Sequence, residues 1–189
     1  MFLEFLKWGF QHILDFHAYD HLLFLVALCA VYTFKSWKEV LILVTAFTIG
    51  HSLTLSLAAL NLISVNKTLV EALIPVTIVL TGIFNVANFG KTERYLWMKY
   101  PVAMCFGLIH GLGFSNQFQS LVSENQSILS MLFPFNLGVE LGQIVIVICA
   151  LTVNTLVVKR VKQKNWVIWV SAIAIIIATY LFITVILES

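Results

Sequence analysis

Long apolar runs separated by short polar stretches organise this chain. Six runs approach or exceed the roughly 20 residues that cross a bilayer as a helix: about 18–34, 40–62, 69–89, 101–121, 128–158 and 166–187. Pro101 is placed to open a helix, whereas Pro75 and Pro134 fall inside runs, where a spanning helix tolerates them. Ahead of the first run, Glu4, Lys7, Gln11 and Asp15 recur at helical spacing, and Phe2, Phe5, Leu6, Trp8, Phe10, Ile13 and Leu14 occupy the rest of that turn pattern. An amphipathic helix over 1–16 follows, interfacial at the membrane surface or leading into the first span. Its interruptions and the lack of a small-residue cleavage site argue against a cleavable signal peptide. The connections, such as "KSWKE", "SENQS" and "KRVKQKN", are too short to fold separately. The predicted fold class is therefore all-α: a polytopic membrane helical bundle of about six transmembrane helices plus the N-terminal interfacial helix, forming a single transmembrane domain over 1–189.

Composition strengthens this reading. Hydrophobic residues make up 60% of the chain and charged ones 11%, against about 25% charged in a soluble domain, and mean hydropathy is +0.97. A net charge of +2 without basic–aromatic interleaving gives no sign of a nucleic-acid partner. Cys29, Cys105 and Cys149 have neither pairing nor metal-type spacing and read as small apolar residues. No phosphate-binding loop is present, so ATP is not a direct energy source. Alternating the spans puts Lys35, Lys38, Lys91, Arg94, Lys99, Lys159, Arg160, Lys162 and Lys164 on one side, and Lys7 and Lys67 on the other. The positive-inside rule makes the first side cytoplasmic. The expected location is a bacterial inner membrane, with both termini outside, in the periplasm.

The informative residues are the ionisable ones within the apolar runs, because each costs several kcal/mol there and is usually functional. They are Asp20 and His21 in "YDHLLF", His51 in "FTIGHSLT", His110 in "FGLIHGLGF" and Glu140 in "FNLGVELGQ". At about 1.5 Å of rise per residue, all lie between the midplane and the outer surface, on four different spans. Gly107 and Gly111 bracket His110, and Gly138 and Gly142 bracket Glu140. This small-xxx-small spacing equips those two spans for close helix contact. Imidazole and carboxylate together suit nickel, zinc or cobalt, and Asp20 could hold His21 in orientation or act as a ligand itself. Ser52, Thr54, Ser56, Asn136 and Gln143 are neutral polar residues near the same level, suited to supporting the ligands or lining a hydrated passage. His12 and His17 fall in the surface-proximal stretch, where the default is an interfacial residue, although His17 could guard an entrance or capture a metal. Glu71 in "LVEALIPVT" is a sixth candidate, for the pathway, although near the outer end of its span it can also snorkel. A lone intramembrane histidine often only bridges helices; ligand types on four helices point to a shared site.

These segments resemble the HupE/UreJ family of membrane proteins linked to hydrogenase and urease maturation. The resemblance runs through "YDHLLFLVAL", "AFTIGHSLTLSLAAL", "FGLIHGLGFS" and "FNLGVELGQ", in that order, over nearly the whole chain. It implies a nickel or cobalt permease in which Asp20, His21, His51, His110 and Glu140 handle the metal. The family's first motif commonly reads His-Pro-x-x-Gly-x-Asp-His. Here Leu14 stands at the first histidine, Ala18 at the glycine, and the proline is absent, leaving His12 or His17 to compensate. The expected function is a divalent-metal permease, with nickel as the expected cargo. The alternative is an intramembrane zinc-type hydrolase acting on a lipid or peptide, with Glu140 or Asp20 as general base. A third reading is a metal sensor or accessory subunit without turnover. Expected partners are membrane lipids, the metal ion, and a second copy or accessory protein.

Overall fold

The computed structural model describes residues 1–15, 19–90, 96–121 and 128–188. The elements are α1 (Phe2–Leu14), α2 (Asp20–Cys29), a short 3₁₀ turn (Phe34–Ser36), α3 (Trp37–Ala59), α4 (Lys67–Ala87), α5 (Leu96–Leu121), α6 (Ile128–Val157) and α7 (Gln163–Glu188). The described residues contain no strand. By length and composition, four helical stretches can each cross a membrane: Phe34–Ala59, Lys67–Ala87, Ser130–Val157 and Gln163–Glu188.

The first apolar run is not one helix. With ten residues, α2 is about 15 Å long, half the hydrocarbon thickness. Packing supplies the other half. Phe2 meets Phe133, with ring centroids 6.5 Å apart. Further along, a Cβ added at Gly138 would collide with the Leu6 carbonyl, and one at Gly142 would come within 3.1 Å of the Phe10 carbonyl and the Ile13 Cβ. The order is the same on both helices, so α1 runs parallel to α6. The far end of α2 meets α6 twelve residues beyond Gly142, where the Asn154 side chain donates to the Cys29 carbonyl at 2.8 Å. α1 and α2 thus follow one another along α6 as two halves of a broken rod.

Of the two placements expected for 1–16, at the membrane surface or leading into the first span, this packing accords with the second. The amphipathic pattern is real: Glu4, Lys7, Gln11 and Asp15 are exposed, while Phe5, Gly9 and Ile13 are buried. The buried face meets α6 rather than lipid headgroups, because Gly9 admits the Phe135 carbonyl and Gly138 admits that of Leu6.

A second crossing of the same kind joins α3 to α5. A Cβ at Gly50 would strike the Met104 carbonyl; one at Gly107 would strike that of Phe47, and one at Gly111 that of His51. Thr54 adds a hydrogen bond from its hydroxyl to the Leu108 carbonyl at 2.8 Å. The glycine pairs around His110 and Glu140 therefore do bring backbones together, with α3 and α1 as the respective partners. α4 packs on α7, where Gly82 faces Ile175 and Ser171.

The basic connections gather at one end. The Phe34 amide donates to Thr155, the Gln163 side chain to the Val31 carbonyl, and Lys99 to the Tyr32 hydroxyl. Lys35, Lys38, Lys99 and the 159–164 group therefore share an end of the bundle, while Lys67 and the start of α1 lie toward the other.

Candidate metal site

The gap between α1 and α2 lies at the level of the buried histidines. His12 comes from the end of α1, His21 from the start of α2, His51 from α3 and His110 from α5. His21, His51 and His110 are 3%, 0% and 0% exposed. Two groups of ligand atoms form, each with all its atoms within 4.8 Å of one another: His12, His21 and His51, and Asp20, His21 and His110. His21 belongs to both. Its ring centroid lies 4.7 Å from that of His12, 6.0 Å from His51 and 4.9 Å from His110.

Hydrogen bonds choose which nitrogens are left over. The Asp20 carboxylate accepts the His21 backbone amide at 2.8 Å and stands 3.0 Å from His21 Nδ1. An ionised carboxylate only accepts, so Nδ1 carries the proton and Nε2 keeps its lone pair. For His110, Nε2 lies 3.1 Å from the Thr77 hydroxyl, whose own proton goes to the Ile74 carbonyl at 2.7 Å. Thr77 must then accept from Nε2–H, and the His110 lone pair sits on Nδ1. Those two nitrogens, His21 Nε2 and His110 Nδ1, are buried without a hydrogen-bond partner, as are His12 Nε2 and both ring nitrogens of His51. Burying polar atoms without partners is costly. A cation at the centre of these groups would supply the missing interaction. A carboxylate or hydroxyl fixing the outer nitrogen of each ligand is the usual support for such a site.

The remaining described residues of the expected set belong to neither ligand group. Glu140 belongs to neither group and is half-buried on the α3–α6 seam, accepting from the Thr45 hydroxyl at 2.8 Å. Three residues on, Gln143 is fully buried; its Oε1 accepts from Thr48 at 2.7 Å while its Nε2 has no partner. Asn136 Oδ1 is likewise buried without one. Ser52 is half-buried, and its carbonyl accepts the Ser56 hydroxyl. Glu71 is remote from the histidines: it pairs with Lys67 at 3.5 Å and lines a small pocket with Asn61, Ser115 and Gln119. His17 lies outside the described residues.

His12 and Thr77 are additions to the expected set. The signal for His12 was present: it shares a helix face with Phe5 and Gly9, at spacings of four and three, away from the polar stripe. With His17, it is one of the two residues expected to compensate for Leu14 at the family's first histidine, and it joins one of the two candidate ligand groups. Thr77 carried no signal, since only the packing of α4 on α5 brings it to His110.

The chain's affiliation agrees with this arrangement. The family model described as HupE / UreJ protein matches residues 1–186, essentially the whole chain, and the protein belongs to that family. With its apolar helices, this makes it an integral membrane protein carrying histidine groups able to hold a metal ion. No curated protein and no solved structure matched the chain.

Proposed function

We propose that the protein is a permease for a divalent transition-metal ion, with nickel as the first cargo to test. The observation that carries this reading is the convergence of unpartnered, buried ring nitrogens of His12, His21, His51 and His110 from four helices beside Asp20. Neutral imidazoles accept a cation without bringing charge of their own into the bundle, and one carboxylate offsets part of the ion's charge. The association of the HupE/UreJ family with nickel and cobalt supports the same cargo class. Two overlapping groups sharing His21 suit conduction, which needs binding firm enough to capture and divided enough to release. A broken helix at the binding level is a frequent device of transporters.

In this reading the chain crosses the membrane six times, with α1 and α2 together making the first passage and α5 the fourth. The basic end faces the cytoplasm and the ion arrives from the other side. Phe24 and Phe47 lie against His110, at 5.4 and 5.1 Å between centroids, and close its inner side as a hydrophobic gate. The hydrolase alternative needs a carboxylate free to take a proton from a metal-bound water. Glu140 lies outside both ligand groups, and Asp20 is held beside His21 as its orienting partner, an arrangement that suits ion binding better than proton abstraction.

Purified protein in liposomes loaded with a metal-sensitive dye tests the proposal. Uptake of nickel or cobalt that is lost in His21→Asn supports it. Folded protein that admits no nickel, cobalt or zinc refutes it.

A further inference from the structure

A second cavity lies between α2, α4 and α5 at the basic end of the bundle. Its volume is about 480 Å³, within the roughly 300–1,000 Å³ typical of sites for small organic ligands. Leu28, Leu80, Ile83, Phe84, Val102 and Phe106 make its walls largely apolar. Leu80, Ile83 and Val102 are 49%, 51% and 44% exposed. They lie on the sides of apolar helices, so the cavity opens sideways, toward lipid, rather than to water.

The polar groups of its lining are almost all spent. Thr81 donates to the Thr77 carbonyl, Asn85 to that of Ala27 and Asn88 to that of Phe84. The exceptions are Lys99 and the Tyr32 hydroxyl beside it. The Lys99 ammonium donates to the Tyr32 hydroxyl at 2.9 Å and lies 5.0 and 5.7 Å from the ring centroids of Tyr32 and Phe84. An ammonium has three protons to donate, so it retains donors for a ligand. A passing metal cation is a poor match for this space, being repelled by Lys99 and unsolvated by the walls.

We propose that this cavity is a binding site for an anionic phospholipid, with an acyl chain along the apolar walls and the phosphate at Lys99. Charge complementarity selects the occupant. The site sits at the lysine-rich end of the bundle, where an anionic leaflet is expected to meet basic residues. The lipid stays apart from the metal, because Phe24 lines the cavity with its ring set between that space and His110.

Native mass spectrometry of the full chain, titrated in detergent with dioleoyl phosphatidylglycerol or dioleoyl phosphatidylcholine, tests this. Phosphatidylglycerol, the anionic one, is expected to bind about fivefold more tightly, the increment of one lysine near an anionic headgroup. Lys99→Gln should abolish that preference, whereas Lys162→Gln should keep it. Leu80→Trp, which fills the cavity from its exposed rim, should remove the bound lipid of either kind; circular dichroism and gel filtration of each variant in detergent report folding. Equal binding of the two lipids by the natural chain overturns the proposal, as does a preference that survives Lys99→Gln or binding that survives Leu80→Trp.

Discussion

His21 divides its two ring nitrogens between a carboxylate and an open lone pair, and the chemistry of the site turns on that division. Asp20→Asn keeps the shape but can present an amide N–H to Nδ1, which favours the wrong tautomer. Nickel affinity, read by isothermal titration in detergent, should fall about 10–100-fold. His21→Asn should cost more, because both ligand groups lose their common member. His12→Ala should also weaken binding, by more than tenfold if its nitrogen is a ligand of the usual strength; a surface histidine would give no change. Metal and proton compete for the same lone pairs, so affinity should decline as pH is lowered and recover on return to neutral pH. A binding isotherm unmoved by acid would mean that imidazoles are not the ligands.

Two pairs of helices are held by carbonyls entering the space left by absent side chains, α1 on α6 and α3 on α5. Without a hydrophobic force between helices in lipid, this close packing supplies much of the association. Gly138→Val places methyl groups where the Leu6 carbonyl lies. Overpacking of this kind costs roughly 1–3 kcal/mol, and here it also withdraws His12 from the site. Thermal unfolding in detergent should show the loss of stability, and titration a loss of nickel affinity comparable to that of His12→Ala. Gly90 is the contrasting case: it is exposed, has nothing near its missing Cβ, and is set apart by φ +80. Gly90→Ala should carry only local backbone strain and leave metal binding unchanged.

At the scale of the molecule, the connections at 30–36 and 158–162 and the start of α5 share one end, and 60–66 lies at the other. With the basic end inside, a cysteine introduced at Ser64 should react with a membrane-impermeant maleimide in intact cells. One introduced at Lys162 should react only after the membrane is opened. The reverse pattern would invert the direction of capture argued above. Cys29 is buried, while Cys105 and Cys149 face outward on the sides of apolar helices, so replacing these three by serine or alanine gives the background for labelling.

Hydropathy alone determined that this is a helical membrane protein, because lipid admits little besides continuous apolar helices. The cost of burying ionisable groups singled out Asp20, His21, His51 and His110 before any packing was known. Tertiary structure decided who meets whom. Periodicity shows that α1 has a buried face but not what covers it, so the same pattern served equally for a surface helix and for one seated on α6. That choice brought His12 into the site, and the separate packing of α6 on α3 set Glu140 against Thr45, outside both ligand groups. The seat of α1 on α6 also joined α1 and α2 into one interrupted rod, with the break beside the histidines. Spacing along one strand of chain cannot carry such information, because contacts between helices distant in sequence depend on complementary surfaces from both partners.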